Sequence, residues 1–250
     1  MSDLSNDNTL GYRYTFTVEG GAERQFEVRL DYDTLGMVVR EHTELPDWTA
    51  LEFCRCANCP LDSGAHARCP VAVNLVDLIE YFRPMQSYDR VTVRVEARNR
   101  EYRAETSLQK GVGALIGLVM VTSGCPIMNR MRPMVDTHLP FMTLEESTYR
   151  IISMYLTAQH FVKARGGTPD WDLRGLVDLL AQTHEVNVGI TKRLRALQVR
   201  DASLNAVVNL NASSAFISTA MESNWLSRFE KIFVDHAGWG SGPLGPAPRS

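Results

Sequence analysis

Tyr12, Tyr14, Phe16 and Val18 alternate with Arg13, Thr15 and Thr17, and after Glu19-Gly20-Gly21-Ala22 the residues Phe26, Val28 and Leu30 alternate with Glu27 and Arg29. A side-chain period of two, broken by glycines, predicts a β-hairpin with one wet face. Val91, Val93, Val95 and Ala97 repeat the pattern, Arg98-Asn99-Arg100 supplies a turn, and Tyr102 and Ala104 continue beyond it. Leu51-Glu52-Phe53 reads as a further short strand leading into a run of cysteines. Residues 1–105 are therefore expected to hold a small antiparallel sheet.

The period changes between the hairpins. Val71, Leu75, Leu78, Ile79 and Phe82 fall at helical spacing until Pro84, which predicts one amphipathic helix directly after Cys69-Pro70. From Thr106 onward the chain reads as helical. Thr106-Ser107-Leu108-Gln109 and Thr143-Leu144-Glu145-Glu146 each have the form of a capping box, predicting two helix starts. Leu108 to Val121 is apolar almost all round but shorter than the ~20 residues a membrane crossing needs, so it predicts a buried central helix. Its Gly111, Gly113 and Gly117 would let another element approach closely. Gly166-Gly167-Thr168-Pro169 ends one helix, Leu173, Leu176, Val177, Leu180 and Leu194 mark the next, and Asp201-Ala202-Ser203 precedes a last one carrying Leu204, Val207, Val208 and Phe216. The expected fold class is α+β: a small antiparallel sheet with one packed helix, then a helical bundle over 106–236. A Gly- and Pro-rich tail at 237–250 is expected to be disordered.

Composition narrows the function classes. A formal net charge of −3, with 22% charged and 44% apolar residues, gives no global attraction to nucleic acid or to an anionic membrane. MSDLSNDNTLGY has neither a basic nor an apolar signal region, which points to the cytoplasm. The expected partner is a protein or a second copy of the chain, with no nucleic acid and no membrane. In a reducing compartment the five cysteines are expected as thiols or metal ligands rather than as disulfides.

Four of those five cysteines lie between Cys54 and Cys69. Cys56-x2-Cys59 is a chelating spacing and His66-x2-Cys69 repeats it, so Cys56, Cys59, His66 and Cys69 make a four-ligand set for zinc. The span is similar to that of the zinc knuckle, without that module's aromatic residues. Cys125 is the alternative fourth ligand, and it is the one favoured here: with Cys56, Cys59 and Cys69 it would join the two halves through zinc or an iron-sulfur cluster. Cys59, Cys69 and Cys125 each precede proline, and a Cys-Pro step resembles the close of the ligand run in bacterial ferredoxins. Arg55 to Arg68 offers Leu61 as its only large apolar side chain, so ligation is the expected source of order in the loop. The leading reading is a cysteine-ligated metal-binding module, set against one in which the cysteines are small buried hydrophobes and His66 is an ordinary loop residue.

Thr122-Ser123-Gly124-Cys125-Pro126 also resembles the peroxidatic site of peroxiredoxins, which implies a nucleophilic thiolate at Cys125. Leu118 stands where that family's proline would be. His138, in the loop before Thr143, is the candidate to line a pocket with Cys125. Met128, Met131 and Met134 read as packing residues, and Arg90, Arg94 and Arg98 as a solvated basic face. His160 and His184 stand without partner motifs, and no P-loop, Rossmann fingerprint, Gly-x-Ser-x-Gly elbow or His-Glu-x-x-His occurs.

Overall fold

The computed structural model describes residues 8–18, 23–38, 44–197, 202–210, 229 and 231–233. The expected turn at Glu19 to Ala22, the helical position Phe216 and the tail 237–250 lie outside the described residues. Strands β1 (Thr9–Val18), β2 (Glu23–Asp31), β3 (Arg90–Glu96) and β4 (Glu101–Ser107) form one four-stranded antiparallel sheet in the order β2-β1-β3-β4. The α+β class read from the periodicities is the observed one.

Register explains which face is buried. Tyr14 stands opposite Phe26 and Val95, and Phe16 opposite Arg24 and Val93, so the apolar set of three strands shares one side. On that side pack α1 (Pro70–Phe82) and α2 (Leu108–Thr122). The rings of Phe16 and Phe82 lie 5.0 Å apart, edge to face. Gly111 is where α2 comes closest to the sheet: a Cβ there would stand 2.7 Å from Val93 Cγ2 and 3.1 Å from Phe16 Cε1. The opposite face is polar and paired. Arg13 reaches Glu27 at 4.0 Å and Glu96 at 3.6 Å, and Arg94 lies 3.6 Å from both Glu96 and Glu101. Arg98 stacks over the Tyr32 ring at 5.5 Å.

Two local expectations are corrected. Leu51-Glu52-Phe53 is a turn, with an isolated bridge between Ala50 and Arg68 beside it. Thr106 belongs to β4, and α2 begins with no side-chain cap. Its first amides donate instead to backbone carbonyls, Leu108 N–H to Asp89 O at 2.8 Å and Gln109 N–H to Ser87 O at 3.0 Å. The second capping box forms as expected: Thr143 Oγ1 accepts from the Glu146 N–H at 3.2 Å, and Glu146 Oε2 accepts from the Thr143 N–H at 2.7 Å.

Beyond a 3-10 segment, Met128–Val135, come α3 (Leu144–Ala164) and α4 (Arg174–Ala196), followed by a helical stretch at 202–210. Met128 and Met131 are buried, in keeping with packing. One apolar cluster runs from the sheet through α1 and α2 to Val186, Ile190 and Leu194 of α4. A second gathers Ile151 and Tyr155 of α3 around Leu176, Leu179 and Leu180 at the other end of α4. Among the described residues no helix is long and apolar enough to cross a membrane.

Candidate functional site

The cysteine loop is ordered by hydrogen bonds. Its two limbs are tied by Leu51 N–H to Ala67 O at 3.0 Å and Cys69 N–H to Thr49 O at 2.8 Å, while Arg68 Nη1 donates to Pro46 O and to Thr49 Oγ1, both at 2.9 Å. Inside it Arg55 donates to Glu52 at 3.0 Å, to Cys59 O at 3.3 Å and to Leu61 O. Cys54 adopts a left-handed conformation (φ 52°), and Cys59 N–H closes a turn onto Cys56 O at 3.1 Å. Asn58 Nδ2 donates to Gln182 O of α4 at 2.9 Å, so the loop leans on that helix. A loop with one large apolar residue thus carries a network of its own polar groups.

The thiols do not make a metal centre. Among the described residues no group of three or more His, Cys, Asp and Glu side chains is placed to hold a metal ion, which overturns both the zinc and the iron-sulfur readings of Cys56, Cys59, Cys69, Cys125 and His66. Cys56, Cys59, Cys69 and Cys125 lie near enough to act on one another's charge, but they do not converge on a common point, and His66 stands apart from them. His66 is exposed on the outer limb, Cys69 is buried at the N-terminal end of α1, and Cys125 is buried just before the 3-10 segment. Cys56 Sγ points to α4, 3.9 Å from Val186 O, and fills the space over Gly189, where a Cβ would overlap it. All five cysteines are free thiols.

Cys125 departs from the peroxidatic expectation as well. The amides of Met128 and Ile127 do point at its sulfur, but burial outweighs them and holds the thiol above its ordinary range. Burial thus opposes the thiolate that the helix-start position implied. Burial acts still more strongly on Cys56, which is pushed up to about 12, with the neighbouring Cys69, Cys125 and Cys59 adding like-charge repulsion.

The residue that sequence reasoning missed is Arg193 in the last turns of α4, only 2% exposed. Its guanidinium donates to the carbonyls of Trp48, Ala50 (2.8 Å) and Leu51 (3.4 Å), and lies 5.6 Å from the Phe53 ring centre. Its Nε is buried with no hydrogen-bond partner, and among the described residues no carboxylate pairs with it. Burial lowers its pKa, and the charges that act the other way belong to Cys69, Cys56, Cys54 and Cys59. The sequence did carry a signal: Val186, Ile190, Arg193 and Leu194 recur at helical spacing, so the arginine sits within the apolar stripe.

A second polar group sits at the far end of β1. Tyr14 Oη lies 2.6 Å from His138 Nε2, Tyr12 O–H donates to Val135 O at 2.8 Å, and Tyr102 O–H donates to His138 O at 3.5 Å. His138 is thereby tied to the sheet, and it was the sheet partner, not Cys125, that the sequence failed to show. Burial, with Arg150 adding repulsion, lowers the imidazole to about 4, while burial first and Asp136 second raise Tyr12 to about 12. With a neutral imidazole and a protonated phenol, Tyr14 is assigned as the donor.

Fold and site together define an α+β protein in which a helix delivers a buried guanidinium to a loop of reduced thiols. The chain belongs to the family described as "Domain of unknown function (DUF6901)", whose family model matches residues 10–234. No curated protein and no solved structure matches the chain.

Proposed function

We propose that the chain is a thiol-disulfide redox module of the cytoplasm, with Cys59 as the attacking thiol and Cys56 as the resolving one. The observation that carries this reading is Arg193, a buried guanidinium with an unpartnered Nε and thiols in place of a carboxylate. An uncompensated buried cation is costly, and a thiolate is the anion its surroundings can supply. Repulsion among neighbouring sulfurs allows one such charge at a time. Cys59 is chosen as the attacking thiol for its access and its neighbour: it is half-buried, and Arg55 is held above its usual range first by a hydrogen bond to the Cys59 side chain. Cys56, protonated and packed on α4, waits for its neighbour to be oxidised.

For the pair to join, Cys56 Sγ must swing from α4 toward Cys59, and the turn between them keeps the two backbones near. The turn's i to i+3 hydrogen bond of 3.1 Å implies a Cα separation below about 7 Å, and disulfides span roughly 4.4–6.8 Å. The Cys59 thiolate attacks one sulfur of a small disulfide R–S–S–R, forming a mixed disulfide and releasing RS⁻, which takes a proton from water. Cys56 then loses its proton to solvent and attacks Cys59 Sγ, expelling the second RS⁻. Two protein thiols become one disulfide, and R–S–S–R becomes two RSH.

Equilibration with graded mixtures of reduced and oxidised glutathione, followed by alkylation and peptide mapping, tests this. The expected product is a reversible Cys56–Cys59 disulfide, with Cys69 and Cys125 still alkylated. Cys56→Ser should stop at a mixed disulfide on Cys59, and Arg193→Met should slow iodoacetamide alkylation of Cys59 at pH 7 by about tenfold or more. A chain that keeps both thiols under oxidising glutathione, or that forms only other disulfides, overturns the reading.

A further inference from the structure

We infer that the cavity between α3 and the 3-10 segment is a binding site for a small apolar monocarboxylate. The cavity has a volume of about 400 Å³, within the roughly 300–1,000 Å³ range of small-molecule pockets. Its walls are apolar, built from Pro133, Met134, Tyr149, Met154 and Phe161, and Arg150 is its one charged lining residue. Tyr149 and Phe161, at 42% and 54% exposed, leave large aromatic surface open to solvent around this opening. The rings of Phe229 and Phe233 lie 5.4 and 6.5 Å from the Tyr149 ring.

Arg150 sets the ligand's charge. Its Nη2 is fixed by Met134 O at 2.9 Å, Thr137 O at 2.5 Å and Thr137 Oγ1 at 3.2 Å, and among the described residues its Nη1 meets the weak acceptor Met142 Sδ at 3.5 Å. The guanidinium is therefore positioned before any ligand arrives, and binding need not order it. Among the described residues no carboxylate forms an ion pair with it. An arginine held in this way keeps its Nε–H and one Nη1–H as donors on opposite edges of the guanidinium, so an anionic head takes one charge-assisted hydrogen bond and is held by the fixed positive charge. One cation and no second basic residue in the lining match a singly charged carboxylate better than a phosphate. The apolar walls ask for an alkyl or aryl body behind that head.

Calorimetric titration of the full chain with decanoate and with decan-1-ol tests the site. Decanoate is expected to bind saturably at one site, and the alcohol roughly tenfold or more weaker, since the charge-assisted hydrogen bond is lost. Arg150 also secures three backbone and side-chain oxygens, so the variant is placed elsewhere: Ala158→Trp, at an exposed lining position, should fill the cavity and abolish decanoate binding in a chain that melts normally. Equal affinity for acid and alcohol, decanoate binding that survives Ala158→Trp, or no saturable binding of decanoate would each overturn the inference.

Discussion

His138 shows what one buried polar side chain does to this protein's response to acid. The folded chain favours the neutral imidazole, lowered to about 4 from an ordinary value near 6.5. Its stabilisation is therefore complete above about pH 6.5 and is lost as pH falls through about 4, a contribution on the order of 2–3 kcal/mol. Denaturant titrations from pH 7 to pH 4 should show this loss, and His138→Asn should be less stable at pH 7 yet flatter across that window. Equal slopes for the two proteins would remove His138 from the account. The residue type and its place before a helix cap were legible in the sequence, but its partner Tyr14 lies 124 positions away, and no local pattern announces such a contact. Arg193 was hidden for a related reason. A basic residue near a helix C-terminus normally faces solvent and favours the dipole, and only its place in the apolar stripe spoke against that.

Among the elements, the two candidate capping boxes separate a motif that acts from one that merely occurs. Thr143 and Glu146 satisfy each other's backbone amides, so Thr143→Ala is expected to destabilise the protein by about 1 kcal/mol, read from the midpoint of urea unfolding. Thr106→Ala should have no such effect on α2, whose first amides are bonded to the carbonyls of Asp89 and Ser87. Strands with four alternating apolar positions and helices with clear stripes were readable because burial dictates their period. Leu51-Glu52-Phe53 was not, since three residues do not distinguish a strand from a turn beside one bridge. The metal reading failed for a similar reason. Spacing along the chain, as in Cys56-x2-Cys59, limits what can meet but does not decide which way each sulfur turns, and Cys56 turned toward α4.

At the scale of the whole molecule α4 is the shared member, contributing Leu176 to Leu180 to one apolar cluster and Val186 to Leu194 to the other. Neither cluster can lose its half of that helix without disturbing the next, so the sheet and the helices should unfold together. Tryptophan fluorescence, which includes the buried Trp48 beside the thiol loop, and far-ultraviolet circular dichroism are expected to give coincident urea transitions. Separated midpoints would show that the two clusters melt independently. The contact between Cys56 and Gly189 has a further consequence, for inheritance. While the sulfur occupies the space over position 189, any side chain there must collide with it. A descendant that keeps the cysteine must keep the glycine, whereas one whose residue 56 is small is free to acquire alanine or serine at 189. Far apart in the chain, the two positions are thus expected to mutate as one, and homologues aligned at these columns should show the pair changing together or not at all.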